Sequence, residues 1–176
     1  MKRVAFLRGL NVGTGHRLTM ERLRELFVEA GCTGVTSFQA AGNVIFDGPG
    51  PGEAAIEAVL RDGLGYAVPT YVRTTEELAA VASSPPFPGL APVRPSSLHV
   101  TFLKDPVPPE ARRAIEAASN DVDVLRVVGR ELYWFAGVGV LETTLDWKAI
   151  ARHQPDLGTT RNITTVRKLA AKHPPA

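Results

Sequence analysis

Apolar positions along this chain fall into two textures. Some form short continuous or alternating runs, and others recur three and four residues apart, and the two textures take turns. Residues 4–8 read as a buried strand. Thr19 fits a helix N-cap with Glu21 in the first turn. Met20, Leu23, Phe27 and Ala30 then share one helical face, and Gly31 suits the position just past the helix end. Residues 35–38 and 43–46 read as strands around a turn at Gly42. After a Gly/Pro stop at 48–52, Ile56, Val59 and Leu60 mark a second helix, which the spacing ends at Gly63. Residues 66–73 form the next strand, placed at a sheet edge because Pro69 lacks an N–H. The resulting order, β-α-β-β-α-β, is ferredoxin-like.

Thr74 and Glu77 then form a capping box for a short helix carrying Leu78 and Val81. The proline-rich stretch 83–97 cannot hold a regular element and divides the chain. Beyond it the pattern starts again. Leu98, Val100 and Phe102 line one face of a strand, and Pro109 and Glu110 open a helix with Ala111, Ile115 and Ala118 inward. Residues 124–128 and 132–135 pair across Gly129-Arg130, a two-residue hairpin signal. Residues 145–153 and 162–172 read as helices that follow one another directly. The expected fold class is α+β: two ferredoxin-like halves with mostly antiparallel sheets and packed helices. The expected division is 1–82 for the first half, 83–97 for the connector, and 98–176 for the second half with its C-terminal helices.

Composition narrows the function classes. The 176 residues are 44% hydrophobic and 22% charged, which suits a globular protein able to bury a core without staples. The single cysteine excludes an internal disulfide framework. No apolar run approaches the roughly 18 residues of a membrane span, and no signal peptide is visible. A cytoplasmic location is therefore expected, with no membrane partner. The net charge is only +2, but residues 148–176 carry six lysines and arginines against Asp156 alone, a net charge of +5. That tail reads either as a solvated helix face or as a patch for a polyanion.

Candidate chemistry is sparse. The stretch LRGLNVGTGHR (7–17) has the composition of a phosphate cradle, but Gly9 and Gly13 enclose three residues where a P-loop needs four, and the dinucleotide fingerprint is absent. Gly13 and Gly15 could still turn backbone N–H groups toward an anion, with Arg8 and Arg17 supplying charge. The alternative is a glycine-rich turn whose arginines are solvated or paired with carboxylates. Asn162 fits a second N-cap, and Arg161 beside the opening N–H groups could hold an anion. Cys32 reads as inert packing. His16, His99, His153 and His173 lack metal-ligand spacing. Asp121 and Asp123 follow Asn120 at a turn and read as solvated acids. Tyr133, Trp134 and Phe135 alternate in a strand, where Tyr133 and Phe135 are either core or a stacking platform.

Three stretches carry a resemblance: LRGLNVG (7–13), AGNVIF (41–46) and TTRNITTVRKL (159–169), supported by PTYVRTTEEL (69–78) and LHVTFL (98–103). With their spacing, they resemble the bacterial family called domain of unknown function 1697. The resemblance implies two joined ferredoxin-like subdomains and names no reaction. Its signature positions carry over as Arg8, Gly9, Asn11, Val12, Gly13, Gly42, Asn43, Thr160, Arg161, Asn162, Thr165 and Leu169. The chain departs from the pattern at Ala40-Ala41, where Gln-Ser is usual. It departs again at Ile163, where Trp is usual, and at Leu141-Glu142, where Ser-Lys is usual.

Together these readings lead to the expectation of a non-catalytic cytosolic protein that binds an anionic, phosphate-bearing small molecule. The expected ligand residues are Arg8, Asn11, Gly13, Arg17, Gly42, Asn43, Thr160, Arg161 and Asn162, with no catalytic residue, metal or cofactor. The alternatives are weak, sequence-independent nucleic-acid binding through the basic C-terminal helix, recognisable by its salt dependence, and an enzyme of unassigned reaction.

Overall fold

The structure, a computed structural model, describes residues 1–10, 18–39, 42–83, 85–89, 97–156 and 158–176. These gather into two compact units: residues 1–79 with 169–176, and residues 80–168.

The first unit contains β1 (Lys2–Leu7), α1 (Met20–Glu29), β2 (Thr33–Ser37), β3 (Asn43–Asp47), α2 (Glu53–Leu64) and β4 (Thr70–Thr74). Its sheet has the order β2-β3-β1-β4 with every pairing antiparallel. Helix α1 starts where the Thr19 hydroxyl accepts from the Arg22 backbone N–H at 3.1 Å, and the chain leaves it through the left-handed Gly31. Its buried residues are Leu23, Leu26 and Phe27, which pack with Leu7, Phe46, Ile56 and Leu60 in one core. Met20 and Ala30, expected on this face, sit at the margin of that core.

Helix α2 does not stop at Gly63. It runs to Leu64 and ends at Gly65, whose φ of 81° is the left-handed cap. Gly63 has a different role: a Cβ there would collide with the Leu26 side chain of α1, so the glycine is a helix–helix contact. The fourth strand begins at Thr70 rather than at 66, and it lies at the sheet edge. Its Thr70 and Val72 backbone N–H groups donate to the Glu57 and Glu53 carboxylates of α2, each at 2.7 Å. The helix thereby satisfies donors that an edge strand would otherwise expose.

Helix α3 (Thr75–Ser83) follows β4 directly. The expected capping box is formed in both directions. The Thr74 N–H donates to the Glu77 carboxylate at 2.8 Å, and the Glu77 N–H donates to the Thr74 hydroxyl at 3.2 Å.

The second unit contains β5 (Leu98–Phe102), α4 (Pro109–Ala117), β6 (Asp123–Val128), β7 (Glu131–Ala136), α5 (Trp147–His153) and β8 (Thr159–Asn162), and α6 (Ile163–Lys172) follows. The sheet order is β6-β7-β5-β8, again entirely antiparallel. Both sheets thus share the order second, third, first, fourth, and the fold is α+β with two ferredoxin-like halves.

The sequence pattern misses β8. Four residues, Thr-Thr-Arg-Asn, show no periodicity of their own. They become a strand by pairing with β5, with Thr160 opposite Thr101 and Asn162 opposite His99. The helix expected from 162 therefore begins at Ile163, and the Asn162 side chain accepts from the Thr164 N–H at 2.8 Å. Helix α5 begins at Trp147 because Asp146 caps it, accepting from the Ala149 N–H at 3.0 Å. On β5, Leu98, Val100 and Phe102 form one buried face. The ring of Phe87 lies 6.5 Å from Tyr133 and 5.9 Å from Phe135, so these two aromatics of β7 are core. Ile115 is the buried residue of α4, whereas Ala118 is its exposed C-cap. Among the described residues, no helix is long and apolar enough to cross a membrane.

Candidate functional site

The other face of β5 carries the chemistry. Alternation puts His99 and Thr101 opposite to Leu98, Val100 and Phe102. Antiparallel register sets His99 against Trp134, and Thr101 against both Leu132 and Thr160. These side chains lay the floor of a cavity of about 340 Å³ in the second unit. Helix α5 forms a wall. Trp147, Ile150 and Ala151 follow at spacings of three and four, which gathers them on one side of the helix, and Gln154 stands just past its end. Val140, from the loop before α5, and Asp156, from the segment after it, also line the cavity.

The aromatic rings are close-set. The Trp134 and Trp147 centroids lie 5.0 Å apart with planes at 74°, an edge-to-face contact. The His99 imidazole lies 5.2 Å from Trp134 with planes tilted by 33°. Trp134 is fixed from behind by Asp123, which contradicts the expectation of a solvated acid. Asp123 is fully buried, accepts from the Trp134 indole N–H at 3.0 Å, and accepts from the Thr143 hydroxyl at 2.9 Å. The turn supports it, since the Asn120 side chain accepts from the Asp123 backbone N–H at 2.8 Å.

Polar lining groups are set by local bonds. The Thr101 and Thr160 hydroxyls meet at 2.7 Å. The Asp156 carboxylate accepts from the Lys104 and Gly158 backbone N–H groups at 2.9 and 3.0 Å, and the Gln154 amide donates to the Asp156 carbonyl at 3.2 Å. Gly158 is required at its position because its φ is 59° and a Cβ would press on the Phe102 carbonyl.

Of the residues expected from sequence to bind a ligand, Thr160 lies in this cavity. Arg161 is on the same strand, and its guanidinium donates to the Thr159 hydroxyl and the Thr160 carbonyl, each at 2.9 Å. Burial pushes its pKa down to about 10, which leaves it charged at neutral pH. Asn162 caps α6, as described. In the first unit, the Arg8 N–H donates to the Pro69 carbonyl at 3.0 Å, and the Gly42 carbonyl accepts from the Leu7 N–H at 2.9 Å. Asn43 is buried and its side-chain amide donates to the Phe38 carbonyl at 3.1 Å, closing the loop between β2 and β3. Asn11, Gly13 and Arg17 lie outside the described residues. Cys32 is buried, and desolvation pushes its thiol up to about 11, which suits packing and not nucleophilic attack. Among the described residues, no three or more metal-ligating side chains gather in one place.

The cavity was missed in the sequence because its parts lie in four separate elements. One signal was present: on β5 the off-core positions are a histidine and a threonine, not the charged residues typical of a solvated face.

No curated protein matches the chain. Its fold is similar to the solved structure of the conserved bacterial protein SP0830 from Streptococcus pneumoniae. The identity is 18%, 97% of each chain is covered, and the TM-score is 0.63. That likeness extends over both ferredoxin-like halves. A family model described as a protein of unknown function, domain of unknown function 1697, matches residues 1–133, which include His99, Thr101 and Leu132 of the cavity floor. The chain therefore belongs to the domain of unknown function 1697 family.

Proposed function

We propose that this protein binds a small, flat organic molecule in the aromatic cavity of its second unit. The observation that carries this reading is the lining itself: two indoles and an imidazole around one half-open pocket, with hydroxyl, amide and carboxylate residues beside them. Mostly apolar walls with a few placed polar groups are what small-ligand sites have in common, and about 340 Å³ sits at the small end of their usual range of roughly 300–1,000 Å³. The polar groups are occupied in shaping the walls: the two threonine hydroxyls bond each other, and Asp156 organises the backbone around it. This arrangement favours recognition over turnover. A phosphate-bearing ligand would call for arginine, lysine or a cluster of inward N–H groups, and none of the described lining residues is a lysine or arginine.

The protein supplies its own reporter. Its two tryptophans, Trp134 and Trp147, both line the cavity. Titration with flat probes such as indole, adenine and nicotinamide should give a saturable change in tryptophan emission, and Trp147→Leu should weaken the best probe about tenfold. Absence of any saturable change in emission or in thermal midpoint across such a panel would refute the reading.

A further inference from the structure

Resting on the binding reading above, we infer that the ligand class of this cavity is a flat organic cation. Three observations converge. First, the walls present indole rings, whose negatively polarised faces make tryptophan the strongest aromatic partner for a cation. Second, the lining contains a carboxylate, Asp156, whose two oxygens are set in place by the Lys104 and Gly158 backbone N–H groups. Third, no lysine or arginine stands among the described lining residues to pair with a ligand anion. Trp147 is 38% exposed and leaves indole surface open to an entering ligand.

Charge can be isolated with three probes built on one six-membered ring: 1-methylnicotinamide (cation), nicotinamide (neutral) and nicotinate (anion). Titration calorimetry and tryptophan emission at one pH should rank them in that order, with the cation about tenfold tighter than the neutral ring and the anion weakest. Trp147→Leu and Asp156→Asn should each bring the first two affinities to within about threefold. A ratio of two affinities measured on one preparation is insensitive to partial unfolding, so a destabilised variant still reports. If nicotinamide binds as tightly as 1-methylnicotinamide, or nicotinate binds best, the charge inference fails while the cavity reading stands. The same holds if none of the three binds but indole or adenine does. If no flat probe binds at all, both fall together.

Discussion

Removing the Asp123 carboxylate should be among the most damaging single changes in the second unit. Asp123 is fully buried and accepts from the Trp134 indole N–H on one oxygen and the Thr143 hydroxyl on the other. Each hydrogen bond to a charged group contributes roughly 1.5–3 kcal/mol, and a buried donor left without an acceptor costs about 1–3 kcal/mol. These terms overlap, so Asp123→Ala should lose about 3–5 kcal/mol, the range seen when one partner of a buried charged network is removed. Asp123→Asn retains an oxygen for the indole, and the Thr143 hydroxyl can rotate to accept from the new amide. Its loss should be only about 1–2 kcal/mol. Urea unfolding followed by far-ultraviolet circular dichroism and by tryptophan emission measures both. The reasoning would be refuted by an alanine variant within about 0.5 kcal/mol of the parent at an unchanged denaturant slope.

Two further outcomes follow from the packing. Glu57→Ala should cost about 1–3 kcal/mol, because the Thr70 N–H on the edge strand β4 loses its carboxylate acceptor. Amide hydrogen exchange should show Thr70 exchanging faster while the β1–β3 ladder is unchanged. Cys32, with its thiol pushed up to about 11, stays neutral in the fold at a pH where the unfolded chain ionises it near 8.5. The unfolded state then binds fewer protons, so stability should fall as pH rises from about 8.5 to 11, and Cys32→Ala should lack that decline. Unfolding titrations of both proteins across this window check the sign. A parent and variant with parallel pH profiles would contradict it.

Features encoded within a few residues were legible. The Thr19 cap, the reciprocal Thr74–Glu77 box and the Gly129-Arg130 hairpin each need only neighbours in sequence, and each is present. The ferredoxin-like order of the first half was legible for the same reason. What escaped depends on distant partners. Strand β8 exists through β5, Gly63 is explained by Leu26 of another helix, and Asp123 is buried because Trp134 turns its N–H toward it. The candidate site shows the same divide. Glycines, asparagines and arginines suggested an anion cradle, yet Asn43 and Asn162 are spent on a loop closure and a helix cap. The cavity is assembled from His99, Trp134 and Trp147, which only the pairing of β5 with β7 and the packing of α5 bring together.

The repeated topology also explains where room for a cavity comes from. Helices α2 and α5 occupy the same place in the order of their halves, but α2 has 12 residues and α5 has 7. At 1.5 Å per residue, the later helix is shorter by about 7.5 Å, well over one turn. Its chain leaves the helical path at Gln154, whose backbone angles of −137° and 88° are extended, and the segment that follows supplies Asp156 to the lining in place of another helical turn. The binding space is thus made by subtraction. One half keeps a longer helix over its sheet, and the other gives up a turn and takes part of its lining from the extended segment beyond it.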